Sequence, residues 1–263
     1  MSEADQPTRC GFVALIGAPN AGKSTLLNQL VGAKISIVSR KVQTTRTQVR
    51  GIALSGTAQI IFVDTPGIFA PKRRLDFEHE ENTVLLEKLA ELKQPKFLIL
   101  NKIDTVPKEK LLEITAKVNE RGQFEATFMV AALTGYGVKD ILAWLEKRLP
   151  PGPWLYPEDQ ISDAPLRFLA AEITREKIFE RLHDELPYRS TVETESWQQK
   201  PDGSVRIEQT IYVERDGQRK IVLGEGGQTI KAIGQKARAE IAEAAEAKVH
   251  LFLFVKVREN WSD

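Results

Sequence analysis

The sequence predicts an α/β protein in two parts: a doubly wound, mostly parallel sheet covered by helices, then a smaller α+β module with element order αββααβ. Three observations predict it. Residues 1–149 alternate short apolar runs with helical patterns, which is how buried parallel strands and their crossover helices read. The stretch LPPGPWLYPED, 149–159, packs four prolines and a glycine into eleven residues, a composition hostile to helix and central strand alike. Behind it the pattern changes to one helix, two strands, two helices and a strand. At 263 residues the chain can hold about two ordinary domains. We place them at 1–149 and 159–263, with a linker at 150–158.

In chain order, GFVALIG, AQIIFVDT, KFLILNK and ATFMVAAL are apolar runs of strand length. Helical patterns follow Lys23 and occupy roughly 83–93, 108–121 and 138–148. In the second part, residues 164–186 set Leu166, Leu169, Ile173, Ile178 and Leu182 broadly on one side. Strands at Thr191–Trp197 and Val205–Val213 flank the turn KPDG, and Val205, Ile207, Ile211 and Val213 share a face. A short helix, a glycine loop, a long helix to about Ala247 and the strand VHLFLFVKV complete the order.

Composition excludes several classes. No apolar run approaches the ~18 residues of a membrane span, and the opening MSEADQPTRC is polar and acidic, unlike a secretory or transit segment. A cytoplasmic location is expected. Cys10 has no partner for an internal disulfide, and His79, His183 and His250 lack metal-ligand spacing. The net charge of +1 divides into +5 for residues 1–149 and −4 for 150–263, so the second part is not the basic body usual in nucleic-acid binders.

GAPNAGKS fits the Walker A pattern between a strand and a helix. Gly17, Ala18, Pro19, Asn20, Ala21, Gly22, Lys23, Ser24 and the following Thr25 are therefore the expected phosphate-binding residues. Their backbone N–H groups and the helix N-terminus can surround phosphates. Lys23 would neutralise the β and γ phosphates and Ser24 would ligate Mg²⁺. In VDTPG, Asp64 can reach the metal and the Gly67 N–H the γ phosphate. LILNKID puts Asn101, Lys102 and Asp104 just past a buried strand, where the acceptor-only carboxylate of Asp104 can take the ring N–H and exocyclic amine of guanine, a donor pair that adenine lacks. GTP and GDP are thus the expected ligands. Ile68 follows Gly67 where Ras-like GTPases carry a water-orienting glutamine, so intrinsic hydrolysis should be slow. Backbone groups, a partner, or a monovalent cation such as K⁺ must orient the water. Asn20 fits a cation ligand and a turn former equally well. Thr45, in VQTTRTQ, is the expected threonine for Mg²⁺. Lys23, Asn20, Thr45 and Gly67 form the expected catalytic set.

With the glycine loop, Thr45, DTPG and NKID in series ahead of an αββααβ module, nearly the whole chain resembles the Era family, bacterial GTPases with a C-terminal KH domain. The resemblance implies a monomeric GTPase whose KH domain grips the 3′ end of small-subunit rRNA and whose GTP form assists 30S subunit assembly. It leaves the inner membrane surface as a further partner. The alternatives are a non-hydrolysing RNA-binding factor and a related GTPase acting on tRNA or membranes. Where that family usually has Ser-Ala-Leu near the guanine, this chain has Ala131, Ala132 and Leu133. Guanine is met there by backbone N–H, so the lost hydroxyl should remove about 1 kcal/mol of support.

Gly224, Glu225, Gly226 and Gly227 match the GxxG loop of KH domains, which clamps RNA backbone. Ile221, Ile230 and Ile233 are candidates to line the adjacent groove, and Lys220, Lys231, Lys236 and Arg238 to meet phosphate. Glu225 opposes binding, so affinity should depend on shape and a few cations.

One stretch falls short. Between DTPG and NKID a Ras-like sheet needs a further strand, and residues 68–96 offer no apolar run for one. A strand, a helix and their loops would add about 20 to 30 residues. We expect residues to be missing between about 75 and 82, with a true deletion as the alternative.

Overall fold

A computed structural model describes residues 7–18, 20–38, 49–64, 86, 89–182 and 186–259. These fall into two compact units, one running to Ser36 and resuming through Asp163, the other comprising Ile37, Val38 and the chain from Ala164.

In the first unit, β1 (Arg9–Leu15) leads to α1 (Lys23–Val31), a hairpin of β2 (Val49–Ser55) and β3 (Ala58–Asp64), then β4 (Leu98–Leu100), α2 (Lys108–Arg121), β5 (Thr127–Met129) and α3 (Val138–Arg148). β1 runs parallel to β3, and β2 closes that sheet antiparallel to β3. β4 and β5 form a separate parallel pair. Among the described residues no strand joins β1 to β4, and Phe12, on what would otherwise be an inner strand, is 57% exposed. Leu26, Leu27 and Leu30 of α1 are buried, as are Ile52, Ile60 and Phe62 of the β2–β3 hairpin against which α1 packs. Phe97, Phe128 and Trp144 pack edge to face to seat α3 on the β4–β5 pair.

β2 was not anticipated, although its turn was legible. Two residues, Gly56 and Thr57, separate the paired Ser55 and Ala58, and Gly56 takes φ 53°, the conformation that tight hairpins need. The expected helix near 83–93 lies largely outside the described residues. So does the stretch at 75–82.

The proline-rich segment does not hang free. Gln59, wholly buried in β3, accepts from the N–H groups of Leu155 and Tyr156 at 2.8 and 3.0 Å and donates to the Tyr156 carbonyl at 2.8 Å. The Trp154 indole donates to Thr57 O, and Ile52 N–H donates to Ile161 O. Prolines cannot join a ladder as donors, so the Gln59 side chain, the Trp154 indole and a few scattered backbone pairs hold the segment in place of a ladder. The segment is therefore a strap on the first unit as far as Asp163. Gln59→Leu would leave two amides and a carbonyl without partners, each costing about 1–3 kcal/mol. Urea denaturation should show a loss of about 3 kcal/mol, and a loss under about 1 kcal/mol would mean that the strap is not held this way.

The second unit has α4 (Leu166–Arg181), β6 (Ser190–Gln199), β7 (Val205–Val213), α5 (Asp216–Leu223), α6 (Gln228–Ala244) and β8 (Val249–Val257). β7 lies centrally, antiparallel to β6 and parallel to β8. The order αββααβ follows from two interior clusters. Ile178, Ile211, Val213, Val222 and Ile233 form one, and Ile173, Ile207, Ala237 and Ile241 the other. The helical pattern over 164–186 resolves into α4 and a 3₁₀ turn at Leu186–Arg189. On α4, Lys177 is buried among Glu176, Glu180 and Glu240, and Glu176 Oε1 accepts from Val38 N–H at 2.7 Å.

Candidate nucleotide and RNA sites

β1 delivers the chain to the glycine loop, where Asn20 and Gly22 adopt left-handed φ of 61° and 90° and turn it into α1. Lys23 Nζ folds back to donate to the carbonyls of Gly17 and Ala18 at 2.9 and 3.0 Å. Burial lowers its pKa, and the charge of Asp64 partly offsets this. Thr25 follows in the first turn of α1. At the end of β3, fully buried Asp64 accepts through Oδ2 from Ser24 Oγ at 3.1 Å and Ser36 Oγ at 3.3 Å.

Asn101 knits three segments together. Its Nδ2 donates to Ala21 O at 3.0 Å, while Oδ1 accepts from the N–H groups of Lys102 and Ala132 at 2.8 and 3.0 Å. Lys102 Nζ donates to Asn20 O at 2.5 Å. The packing is tight enough that a Cβ on Gly22 would come within 2.4 Å of Asn101 Nδ2. Asp104 stands exposed on a 3₁₀ turn, Ile103–Thr105.

Ala131 and Ala132 are buried, and their N–H groups are already engaged, by Tyr136 O and by Asn101 Oδ1. Leu133 is 78% exposed. Pro19, Thr45, Gly67 and Ile68 lie outside the described residues. The sequence reading missed Ser36, whose hydroxyl meets Asp64. A serine among apolar residues carries no signal until the fold brings β3 beside it.

In the second unit the glycine loop joins α5 to α6. Gly224 takes φ 72° and ψ 171°, a region essentially closed to other residues, and a Cβ there would stand 2.2 Å from Thr229 Oγ1. Gly226 and Gly227 also have positive φ, and their Cα atoms face open space, leaving main chain accessible to an approaching backbone. Glu225 is exposed beside them. A cleft of about 470 Å³ lies along α6 and β8, lined by Ile230, Lys231, Gly234, Gln235, Arg238, Leu251 and Leu253. Ile233, expected in this lining, is 1% exposed and packs in the core, because its side chain faces the opposite side of α6. Ile221 is exposed but not in the lining. Lys220 pairs with Asp216 at 3.4 Å and Lys236 with Glu180 at 3.5 Å. Leu251 and Leu253 were missed, since the strand and the long helix could each be read but not that one faces the other.

Comparison with known proteins gives the family of each part of the chain. Residues 12–134 match the family model described as 50S ribosome-binding GTPase, and residues 185–262 match the KH domain model. The chain is 61% identical to GTPase Era of Afipia carboxidovorans, covering 99% of this chain and 93% of the relative, and 62% identical to GTPase Era of Mesorhizobium japonicum, covering 97% and 91%. Among solved structures it is similar to Era in complex with MgGDPNP and nucleotides 1506–1542 of 16S ribosomal RNA, with TM-score 0.84 and 33% identity over 97% of this chain and 95% of the other. An Aquifex aeolicus Era variant bound to GDP and AlF4⁻ matches with the same TM-score, identity and coverage.

Proposed function

Since the chain belongs to the GTPase Era family and is a GTPase, we propose that it is a cytoplasmic, slowly hydrolysing member that couples GTP binding to a grip on the 3′ region of small-subunit rRNA and so assists 30S assembly. Asn101 carries this reading. One side chain fastens the phosphate loop to the base-binding segment, so phosphate and guanine are held by a single framework. Lys23 would leave the Gly17 and Ala18 carbonyls for the β and γ phosphates. With water in line, charge developing on the γ phosphate would be met by Lys23 and the loop N–H groups. Ser24 and Asp64 offer adjacent hard oxygen donors that suit Mg²⁺, with Thr45 as the third candidate. Bound there, the metal would supply positive charge to offset that of the phosphates. For RNA, we propose that Gly224–Gly227 takes backbone, that Ile230, Leu251 and Leu253 take bases, and that Lys231 and Arg238 supply cations.

The GTPase family model names the 50S particle, whereas the Era structure that matches both units holds 16S rRNA. Coverage of both units favours the small subunit. A second reading has support too. An alignment of 286 positions against a chain of 263 residues leaves at least 23 positions with no counterpart here, in keeping with the separate β1–β3–β2 and β4–β5 groups among the described residues. On that reading the chain binds RNA without turnover.

Single-turnover hydrolysis and binding of labelled RNA from the 16S 3′ end, each measured with GDP and with a non-hydrolysable GTP analogue, separate the two. We expect turnover and tighter RNA binding with the analogue. RNA binding with no turnover would favour the second reading, and tighter binding of tRNA would overturn the ribosomal assignment.

A further inference from the structure

The segment after α1 is built around a side chain that the nucleotide site does not itself use. Asn28, on α1, accepts through Oδ1 from the N–H groups of Ile35 and Ser36 at 3.0 and 2.9 Å and donates through Nδ2 to Ser36 O at 2.7 Å. Three bonds from one amide fix both sides of Ser36, and the neighbouring Ile35 and Ile37 are 3% and 1% exposed. Ser36, itself 4% exposed, is left with one polar task, and its Oγ donates to Asp64 Oδ2.

A carboxylate as buried as Asp64 is costly unless hydrogen-bonded. One of its donors, Ser24 Oγ, is also the hydroxyl expected to turn toward Mg²⁺. Ser36 is placed to remain on the carboxylate when Ser24 leaves it, because the Asn28 clamp holds Ser36 from its own backbone. We propose that Ser36 is a positioning residue for Asp64, that Asn28 positions Ser36, and that together they set how strongly nucleotide retention depends on Mg²⁺. This rests on the Mg²⁺–GTP reading above.

The test uses the full chain loaded with a fluorescent GDP analogue, following its dissociation over a range of free Mg²⁺ concentrations and in excess EDTA. Removing a group that orients a metal-binding carboxylate typically costs about 10-fold or more in metal affinity. Ser36→Ala should therefore raise the half-effective Mg²⁺ concentration by about 10-fold while leaving dissociation in EDTA unchanged. Asn28→Ala, which touches nothing at Asp64, should shift it in the same direction. The double variant should add little to the larger single effect, because both act through one hydroxyl. If Ser36→Ala fails to fold, Asn28→Ala carries the test alone. Wild-type Mg²⁺ dependence in a folded variant, or a shift equally large in EDTA, would overturn the proposal. If the unaltered chain retains no GDP analogue at any Mg²⁺ concentration, the GTPase reading falls with it, and that result is visible before any variant is made.

Discussion

Asp104→Asn should abolish the preference for guanine and create one for xanthine. In the proposed complex the carboxylate accepts two N–H donors from guanine. Asparagine keeps one acceptor oxygen for the ring N–H but sets its N–H₂ against the guanine amine, so one bond is lost and the other loses its charge; with each hydrogen bond to a charged group worth about 1.5–3 kcal/mol, GDP should weaken by roughly 10²-fold or more. The asparagine amide can instead donate to the carbonyl oxygen that xanthine carries where guanine has its amine, so XDP should gain affinity. Asp104 is exposed on its turn, and replacing an exposed side chain usually changes stability by less than about 0.5 kcal/mol. Loss of binding therefore could not be ascribed to unfolding. Competition titrations of GDP against XDP, with a melting curve for each protein, are the measurement. Unchanged preference for GDP would remove Asp104 from the base site and with it the reading of the NKID segment.

Lys177→Met should destabilise the second unit by about 3–5 kcal/mol. The ammonium lies 3.1 Å from Glu176 and 3.0 Å from Glu180 and is also bonded to Glu240, with the side chains of Lys177 and Glu176 both nearly sealed from solvent. Burial works against its charge, but the bonds to Glu240, Glu180 and Glu176 outweigh it, so its pKa is raised. Removing one member of a buried ion pair costs about 3–5 kcal/mol, because the other charge is left without compensation. The pH dependence follows from the sign. A base whose folded pKa is raised lends stability that is fully present below its unfolded value near 10.5 and is lost only as pH rises through the folded value. The gap between the unaltered protein and Lys177→Met that is due to Lys177 itself should therefore be the same at pH 7 and pH 9. Chemical denaturation at both values checks this. A gap below about 1 kcal/mol would show that the three glutamates are solvated well enough to do without the lysine.

The sequence was most informative where chemistry requires contiguous residues. The glycine loop, the Asp64 and Asn101–Asp104 segments and Gly224–Gly227 are legible in the sequence alone, because each supplies its groups from adjacent positions at the end of an apolar run. It was less informative where the partner is remote. Gln59 reads as a polar interruption in a buried strand, and its role appears only when Leu155 and Tyr156 are beside it. Ile233 has the right chemistry to line a groove and stands one position from Gly234, which does. Which of them faces the core depends on how α6 is rotated against β7 and β8, and a one-residue step along a helix turns a side chain by about 100°.

By itself, the sequence determined that the chain is an α/β unit with a phosphate loop followed by an αββααβ module, since periodicity and local turn chemistry act over a few residues and need no distant partner. Only the tertiary structure decided that β2 folds back antiparallel, that the proline-rich segment is strapped to β3, that β1 and β4 stand in separate sheets among the described residues, and that Ser36 meets Asp64. These depend on hydrogen bonds between residues tens of positions apart. Which acceptor a buried donor finds is fixed by packing, and packing is a property of the whole fold.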